Sequence, residues 1–395
     1  MRYRHAGALL LSGVVLLLAA CGGATSGARS GASAATAAAS AKPATSAAPS
    51  GSASAPAASQ GSAASKPAAG TSAAAKPSGQ LATVSVGGLG GTPDRALWIG
   101  QDEGFYTKEG VNPDVTLYKG FGEMLPLLAT GKLDVGVGGI SPGFFNALLS
   151  GVNVKVVSDS TLIAEPPPGK HMSYGLMVRK DLEGQVKTVA DMKGRSIAVN
   201  GVQGIGELQL DAILHLGNLT TADVDVQSIP FPDAYAALGN KKIDGALEVE
   251  PFVTLGIQQN VAFPLADLAK AMPNSPAQWV FYSTEFIKNR PDAGKRFLAA
   301  YTEALRLNSD ALFKNKNRDE VIQLYIKHTQ AKDPKAYDQQ TPTVDETNAH
   351  INLQALQQAE DYFVAHGWQK SKLDVNSVVD TSFGDYVRQT LGTYS

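Results

Sequence analysis

Short runs of β-branched residues alternate with helical patterns from residue 81 onward. Strands are predicted at residues 83–87, 115–118, 133–138 and 154–158 and, after the Pro-Pro-Pro-Gly break at 166–169, at 174–179, 196–200, 224–229, 245–247 and 280–283. Between many of these runs the apolar residues recur every three or four positions, which is the period of a helix face. From residue 291 the chain is predicted to be mainly helical, with one helix ending at His366-Gly367. The alternation indicates an α/β architecture with parallel layers.

The body of the chain, residues 81–395, is too long for one comfortable hydrophobic core, which favours two lobes. We expect one lobe to contain residues 81–175 and 285–395 and the other residues 176–284, with hinges near 170–176 and 275–290. Ligands of such α/β sheets bind beyond the carboxyl ends of the strands. The pattern therefore predicts a ligand cleft between two similar α/β lobes.

The first residues are typical of an export signal. Arg2, Arg4 and His5 precede an apolar run over residues 6–20, which is shorter than the roughly 20 residues of a membrane-spanning helix. A basic start, a short apolar run and small residues at its end predict a secretory signal peptide over residues 1–20. The run ends Leu18-Ala19-Ala20-Cys21-Gly22, which resembles a bacterial lipobox and implies cleavage before Cys21 and lipid attachment to its sulfur. The alternative is an ordinary signal peptide followed by a chance cysteine.

A segment of small residues follows the signal. Ala, Ser, Gly and Pro make up 49 of the 59 residues from 22 to 80, and no aromatic or large aliphatic residue occurs among them. Such a segment buries too little apolar surface to offset the entropy of ordering it. Residues 21–80 are therefore predicted to be a lipidated cysteine with a disordered tether, spanning roughly 40 Å end to end.

Charge is distributed unevenly along the chain. The 34 Lys and Arg and 36 Asp and Glu residues give a net charge of −2, but six of the basic residues and none of the acidic ones lie in residues 1–80. The remaining residues therefore carry a net charge of −8. This balance excludes a nucleic-acid-binding protein driven by a basic surface, and any anionic ligand has to be held locally. The single cysteine excludes an intramolecular disulfide framework and a multi-cysteine metal site.

Gly139-Ile140-Ser141-Pro142-Gly143 matches the G-x-S-x-G pattern of a hydrolase nucleophile elbow between a strand and a helix. That elbow uses the backbone N–H of the residue after the nucleophile, and Pro142 has none. We therefore interpret Ser141 as the N-cap of a helix that begins at Pro142, and we expect Ile140 and Ser141 to contact a ligand at the helix N-terminus. An ordinary cap without a ligand is the alternative.

The Gly-rich loop after the first strand is a second candidate. Gly88 and Gly90 let backbone N–H groups approach a small ligand closely, or they serve tight packing only. Thr92 is predicted to cap the next helix, with Pro93 in its first turn. Arg95 is a candidate to pair with a carboxylate or sulfonate through two hydrogen bonds, and exposure at the surface is the alternative.

Asn200, Gln203 and Gly204 lie in a Gly-rich turn between a strand and a helix of the predicted second lobe. The turn lacks the third glycine of the dinucleotide pattern, because position 209 is Gln209, and it lacks the Lys-Ser/Thr pair of a phosphate loop. We expect these three residues to contact the ligand through the backbone and short polar side chains. Tight packing of the strand against the helix is the alternative.

Aromatic and acidic residues also lie near the predicted cleft loops. Phe121, Tyr174 and Phe231 would give an aromatic lining that suits an organic ligand. Glu248 and Glu250 alternate after a strand, so at most one of them is expected to face the cleft. Helical spacing instead predicts core positions for three further aromatic residues, Trp98, Phe144 and Phe145.

The order of four sequence stretches resembles the nitrate/sulfonate/taurine group of ABC-transporter periplasmic binding proteins. These stretches are Trp98-Ile99-Gly100 with Glu103-Gly104-Phe105-Tyr106 and Glu109-Gly110-Val111; Leu128-Ala129-Thr130-Gly131-Lys132-Leu133-Asp134-Val135-Gly136; Val189-Ala190-Asp191-Met192-Lys193-Gly194-Arg195-Ser196-Ile197-Ala198-Val199; and Gly245-Ala246-Leu247-Glu248-Val249-Glu250-Pro251-Phe252. The resemblance implies a two-lobed type II periplasmic-binding-protein-like fold, with three-layer α/β/α lobes and the ligand between them. It also implies that the turn at Glu250 lies near the ligand.

By this resemblance the chain is expected to be a non-enzymatic, extracytoplasmic solute-binding protein of an ABC importer, anchored by lipid. It would bind a sulfonate-, taurine- or nitrate-like solute, need no cofactor or metal, act as a monomer, and have the permease and ATPase as partners. One alternative is binding of a thiamine-pyrimidine-like or other heterocyclic or aromatic compound, and the aromatic residues and Glu250 favour an organic ligand. Another is a surface lipoprotein without a transport role. Thiamine-pyrimidine synthases share the fold, but the lone Cys21 cannot supply the cysteine-rich iron motif that they carry.

Overall fold

The computed structural model describes residues 80–90, 94–328 and 333–395. The predicted signal peptide, Cys21, the tether and Thr92 lie outside the described residues. The strands are β1 (Ala82–Gly88), β2 (Val111–Leu117), β3 (Val135–Gly138), β4 (Val154–Leu162), β5 (Tyr174–Arg179), β6 (Ser196–Val199), β7 (Asp225–Ser228), β8 (Gly245–Val249), β9 (Ala262–Asp267), β10 (Pro276–Ser283) and β11 (Val344–Asp345).

Helices connect these strands and dominate the C-terminal part. They are α1 (Arg95–Asp102), α2 (Phe105–Lys108), α3 (Phe121–Ala129), α4 (Pro142–Leu149), α5 (Ile205–His215), α6 (Phe231–Gly239), α7 (Phe252–Gln258), α8 (Leu268–Ala271), α9 (Thr284–Asn289), α10 (Pro291–Phe313), α11 (Arg318–His328), α12 (Pro334–Gln339), α13 (Leu353–Ala365) and α14 (Ser382–Leu391). None of the helices in the described ranges combines the length and the apolar character that crossing a membrane requires.

The strands form two sheets with one common order. Sheet 1 has the order β11-β4-β10-β3-β1-β2, and sheet 2 has the order β7-β6-β8-β5-β9. In sheet 1, β1 pairs in parallel with β2 and β3, and β10 lies antiparallel between β3 and β4. In sheet 2, β6 pairs in parallel with β7 and β8, and β5 lies antiparallel between β8 and β9. The predicted pair of similar α/β units is confirmed, although both sheets are mixed rather than wholly parallel.

In each sheet, the antiparallel strand is the first strand that the chain forms after it crosses from the other sheet. The chain leaves sheet 1 after β4 and enters sheet 2 at β5, and it returns from β9 to sheet 1 at β10. The strand predicted at residues 280–283 is part of β10, so the chain re-enters sheet 1 at Pro276. The lobe boundaries and the hinges stay predictions.

Hydrophobic side chains fill both faces of each sheet, which gives three layers. One face of sheet 1 packs against α1 and α10, and its other face packs against α3, α4 and α13. Sheet 2 has a separate cluster on each face. Trp98, Phe144 and Phe145 are buried as predicted.

Two strands depart from the sequence prediction. β2 begins at Val111 rather than at residue 115. It lies at the edge of sheet 1, where a strand can contain a proline such as Pro113, which has no N–H to donate. β9, which contains Pro264, was not predicted and is likewise an edge strand. Because proline is uncommon in strands, a prediction based on β-branched runs omits the start of β2 and all of β9.

A serine and an aspartate clasp the amino ends of the parallel strands in both sheets. In sheet 1, the carboxylate of Asp134 accepts a hydrogen bond from the Ser85 N–H at 2.9 Å, and the Asp134 N–H donates to Ser85 Oγ at 3.0 Å. In sheet 2, the carboxylate of Asp244 accepts from the Ser196 N–H at 3.1 Å, and the Asp244 N–H donates to Ser196 Oγ at 3.0 Å. The two sheets therefore share a reciprocal clasp as well as a strand order.

Candidate functional site

The loop after β3 lies against the N-terminus of α5, so a part of sheet 1 meets a part of sheet 2 here. A Cβ placed on Gly139 would lie 3.7 Å from Cγ2 of Ile205, the first residue of α5. Leu208 of α5 packs in the same hydrophobic cluster as Ile140. The structure thus brings the predicted ligand residues Ile140 and Ser141 of the first unit close to Gly204 of the second.

Ser141 caps α4 as the sequence predicts. Its Oγ accepts a hydrogen bond from the Phe144 N–H at 3.3 Å, and Pro142 is the first helical residue. The hydroxyl therefore serves the helix end, and the residue after it offers no N–H for an oxyanion hole. Ile140 itself is buried in the hydrophobic cluster that also contains Leu208 of α5.

Asp94 organises the Gly-rich loop after β1. One carboxylate oxygen, Oδ2, accepts hydrogen bonds from the N–H groups of Leu89 and Gly90 at 2.6 Å each. Burial raises the pKa of Asp94 to about 6, against the opposing effect of these two donors. A Cβ on Gly88 would lie 2.6 Å from the same oxygen, so glycine is needed there for packing against Asp94. Gly90 has a positive φ of 78°, which favours glycine as well.

Arg95 takes neither of the two positions expected from the sequence. It is buried, and its guanidinium forms an ion pair with Asp345 and donates to Thr343 Oγ1 at 2.8 Å. Asn308 donates to the other oxygen of Asp345 at 2.6 Å. The guanidinium thus has an internal carboxylate as partner, because β11 brings residue 345 to the start of α1.

Phe121 belongs to the core of the first unit. Its ring centre lies 4.1 Å from that of Phe281 and 6.1 Å from that of Phe144. Only 6% of Phe121 is exposed, and its ring packs between α3 and sheet 1.

Four predicted residues of the second unit lie at the carboxyl edge of sheet 2. The rings of Tyr174 and Phe231 are 6.4 Å apart in an edge-to-face arrangement, and the Tyr174 hydroxyl donates to Gln209 at 2.5 Å. Burial, followed by the nearby Glu248 carboxylate, raises the pKa of Tyr174. Two further candidates, Asn200 and Gln203, are exposed in the loop before α5.

The N-terminus of α5 carries an acidic side chain. The Gln203 N–H donates to Oε2 of Glu207 at 2.7 Å, and Gln203 has a positive φ of 53°. A carboxylate in the first turn competes with an anionic ligand for the same helix end. This arrangement weakens the expectation that Gly204 and its neighbours hold a bare anion.

Glu250 follows β8 of sheet 2 and is hydrogen-bonded to the segment before β11. Its carboxylate accepts hydrogen bonds from the Thr254 N–H at 3.1 Å, the Thr254 hydroxyl at 2.9 Å and the Thr341 N–H at 2.9 Å. His171 Nδ1 lies 3.6 Å from the same carboxylate. Burial raises the pKa of Glu250, and the two backbone donors oppose the shift. Both oxygens of Glu250 are therefore engaged within the protein.

Glu248 is the more deeply buried member of the acidic pair, with no measurable exposure. Neither of its carboxyl oxygens has a hydrogen bond of ordinary geometry among the described residues, and only the Val249 N–H partly offsets the burial. Burial raises the pKa of Glu248 to about 9, so it is protonated at neutral pH. The alternation of Glu248 and Glu250 predicted that at most one of them faces the cleft, but it did not predict which of the two is more deeply buried.

Two residues of sheet 1, Asp159 and Trp279, were not predicted as site residues. They lie opposite each other on β4 and β10, and both are almost fully buried. Asp159 directly follows the strand predicted at 154–158, which was the available signal for it, although β4 continues to Leu162. The position of Trp279 depends on strand register. Two surface cavities of about 330 and 190 Å³ lie elsewhere, and none of the predicted ligand residues lines them.

Comparison with known proteins gives the family and the fold. The family model described as NMT1/THI5 like matches residues 95–308, more than half of the 395 residues. No curated protein sequence matches the chain.

Three solved structures illustrate the shared fold. The alkanesulfonate-binding protein SsuA of Xanthomonas axonopodis pv. citri, bound to MOPS, is 15% identical with a TM-score of 0.60, and the match covers 77% of this chain and 100% of that one. The periplasmic nitrate-binding protein NrtA of Synechocystis PCC 6803 is also 15% identical with a TM-score of 0.60, over 79% and 89% of the two chains. The desulfurization enzyme DszB is 17% identical with a TM-score of 0.56, over 78% and 99%.

At these identities the likeness concerns the fold, and it agrees with the two mixed sheets described above. The chain has the two-lobed α/β fold of the periplasmic solute-binding proteins, and it belongs to the NMT1/THI5-like family.

Proposed function

We propose that this chain is the extracytoplasmic solute-binding component of an ABC importer. It captures a small organic or anionic solute between its two lobes and delivers the solute to a permease that works with an ATPase. We keep the predicted lobes, residues 81–175 with 285–395 and residues 176–284, as a proposal, with two changes at their boundaries. β10 (Pro276–Ser283) is assigned to the first lobe because it pairs within sheet 1, and the start of β5 at Tyr174 is assigned to the second lobe because it pairs within sheet 2. The structural relatives whose names state sulfonate or nitrate binding support this role.

The single observation that carries the proposal is the meeting of sheet 1 with α5. Gly139 approaches Ile205, and Ile140 shares a hydrophobic cluster with Leu208, at the carboxyl edges of the two sheets. Solutes in open α/β sheets bind beyond such edges. Two chain crossings link the sheets, and a change in the angle between them opens or closes the site, with the solute favouring the state that it binds more tightly.

The export segment supports an extracytoplasmic location. Cleavage before Cys21 and lipid attachment to its sulfur anchor the chain in a membrane, and the tether of residues 22–80 lets the folded body reach a permease. We propose a monomer. Replacement of Cys21 by Ser tests the anchor, because the variant chain should then leave the membrane fraction for the soluble fraction.

An enzymatic role receives less support. One relative is a desulfurization enzyme, and a structure of a cysteine-to-serine mutant of that enzyme holds biphenyl-2-sulfinic acid. In this chain the single cysteine is Cys21, which the lipobox pattern assigns to lipid attachment. The proposal therefore includes no covalent step.

A thermal unfolding screen tests solute binding directly. Sulfonates, nitrate, pyrimidines and aromatic carboxylates are added to the purified chain, and a ligand present at 100 times its Kd should stabilise the folded state by about 2.7 kcal/mol. A response to at least one compound supports the proposal. If no compound changes the unfolding temperature, a surface lipoprotein without a transport role becomes the better description.

A further inference from the structure

Asp159 and Trp279 form a cross-strand pair with one spare hydrogen-bonding atom each. They lie opposite each other in the antiparallel pairing of β4 with β10, with 2% and 1% of their surfaces exposed. Among the described residues, neither Asp159 Oδ1 nor Trp279 Nε1 has a hydrogen-bond partner. Polar atoms buried without partners are rare in folded proteins and call for an explanation.

The other half of the Asp159 carboxylate is fixed in place. Oδ2 accepts a hydrogen bond from the Asn352 N–H at 2.8 Å, and the Asp159 N–H donates to the His350 carbonyl at 2.8 Å. The segment before α13 thus holds one oxygen and leaves the second one unused. Opposed residues on one face of an antiparallel pair have Cβ atoms about 4.5–5.5 Å apart. The pairing is irregular between Gln278 and Trp279, but Trp279 and Asp159 are direct register partners, and Oδ1 and Nε1 are not bonded to each other.

The pair lies at the place where the two units meet. Trp279 pairs on its other side with Gly138, which has no side chain, at the end of β3. Trp279, Ile140 and Leu208 belong to one hydrophobic cluster, and Leu208 comes from α5 of the second unit. An apolar site with a few fixed polar atoms is the usual environment for a small organic ligand.

The charge of this place favours a ligand with N–H groups over a bare anion. Burial, with the nearby Glu346 carboxylate acting in the same direction, raises the pKa of Asp159 to about 8, so the carboxyl carries a proton at neutral pH when no solute is bound. A solute ammonium group placed against Oδ1 stabilises the ionised carboxylate and releases that proton. A bare anion at the same place instead meets the negative charge of Glu346.

We infer that Asp159 and Trp279 form a polar subsite for the bound solute, in which Asp159 Oδ1 accepts from a solute N–H group and Trp279 Nε1 donates to a neighbouring solute oxygen or nitrogen. This inference rests on the proposed solute-binding function and deepens it. The solute is then an organic molecule with an amine or amide group next to an acceptor, such as an aminoalkane sulfonate, rather than nitrate or a simple sulfonate.

Matched compounds test the inference by calorimetry. The full chain, exported and purified from membranes in detergent, is titrated with taurine and ethanesulfonate, with β-alanine and propionate, with 4-aminobenzoate and benzoate, and with nitrate. We expect the amine-bearing member of at least one pair to bind ten to a hundred times more tightly than its partner. Asp159→Asn should remove this preference, because the amide replaces the charged acceptor.

Asp267→Asn is the matched control. Asp267 occupies the corresponding register position in sheet 2, opposite Gly175, but its Oδ1 accepts from the Ala269 N–H at 2.9 Å and caps α8. Asparagine caps helices about as well as aspartate, so this variant should fold and keep the preference. The comparison separates a contact with the solute from a general effect of removing a carboxylate at this register position.

Tryptophan fluorescence gives an independent readout, because the chain has three tryptophans. Binding should change the emission of the unaltered chain and of the Trp98→Phe and Trp368→Phe variants, and the change should be lost in Trp279→Phe. Trp279→Phe keeps an aromatic ring and should weaken the amine-bearing probe about tenfold.

The possible outcomes distinguish a failure of the subsite from a failure of solute binding. Equal binding of an amine and its amine-free partner, or a preference that survives Asp159→Asn, overturns the subsite and leaves solute binding intact. The same holds if nitrate binds as tightly as any organic probe. Failure of every probe to bind the unaltered chain overturns solute binding and the subsite together.

Discussion

The two sheets share one framework and differ at the carboxyl edge, where the solute is proposed to bind. In sheet 1 the central pair at this edge is Gly138 on β3 with Trp279 on β10, and in sheet 2 it is Glu248 on β8 with Gly175 on β5. In sheet 1 the large residue, Trp279, lies on the antiparallel strand β10. In sheet 2 the large residue, Glu248, lies on the parallel strand β8. A glycine lies opposite the large residue in both sheets. Each large residue is buried and has a polar group without an ordinary hydrogen bond among the described residues.

At the amino ends of the parallel strands, both sheets have the same arrangement of an arginine and an aspartate. Arg290 forms an ion pair with Asp134 in sheet 1, and Arg179 lies 2.9 Å from Asp244 in sheet 2. Together with the serines, these residues give each sheet the same clasp at the amino ends of its parallel strands. The two units therefore share the strand order and the clasp, and they differ at the carboxyl edge, where a solute is expected.

Glycine replacements in the two edge pairs should have the largest effect and should differ between the sheets. A Cβ on Gly175 would lie 2.3 Å from the Ala266 carbonyl oxygen, which is backbone, whereas a Cβ on Gly138 meets the Phe121 side chain at 3.1 Å. We expect Gly175→Ala to lower the free energy of unfolding by about 3 kcal/mol and Gly138→Ala by about 1 kcal/mol. Urea denaturation measures both, and Gly184→Ala, with nothing within 4 Å, serves as control. Equal losses would contradict the contrast.

The buried acid of sheet 2 should make stability depend on pH. The pKa of Glu248 rises from 4.5 to about 9 on folding, so between these values the unfolded chain releases a proton that the folded chain retains. Stability therefore falls as pH rises, by at most about 1.4 kcal/mol per pH unit. Glu248→Gln should be at least about 2 kcal/mol more stable than the unaltered chain at pH 8, where the full slope would give about 5 kcal/mol, and similar to it near pH 4. Urea denaturation across this range, with exposed Glu183→Gln as control, would show parallel curves if this account is wrong.

The two clasps should contribute unequally because they are buried to different depths. The side chain of Asp134 is 7% exposed and that of Asp244 is 21% exposed. We expect Asp134→Asn to cost about 2 kcal/mol and Asp244→Asn about 1 kcal/mol, since an amide loses the charge-assisted bonds. A larger loss at Asp244 in urea denaturation would reverse the comparison.

The smallest effect is expected at the cap of α4. Ser141→Ala removes the acceptor for the Phe144 N–H and should cost about 1 kcal/mol, whereas Ser141→Asn keeps a capping side chain. Thermal unfolding of the two variants measures the difference. A loss of solute binding with unchanged stability would instead indicate a direct contact between Ser141 and the solute.

Local patterns predicted much of the fold. The alternation of strands and helices, the cap at Ser141 and the helix end at His366 and Gly367 all follow from neighbouring residues, and the structure confirms them. The start of β2 was hidden by Pro113, which an edge strand accommodates.

The candidate site was harder to predict because its partners are distant in sequence. The partner of Arg95 is Asp345, which follows 250 positions later, and no local pattern reveals that pairing. Asp159 meets Trp279 through strand register, which the residue pattern alone does not determine. The roles of the predicted ligand residues stay predictions.

The carboxylate of Glu250 has a mechanical consequence. The two chain crossings between the sheets are covalent and persist through any rotation, whereas the bond from the Thr341 N–H to Glu250 can break and reform. A rotation that separates β11 from the end of β8 has to release this bond, while the two bonds from Thr254 turn with Glu250. If the sheets rotate as proposed, this bond favours the angle described here by about 1 kcal/mol and contributes nothing once it is broken.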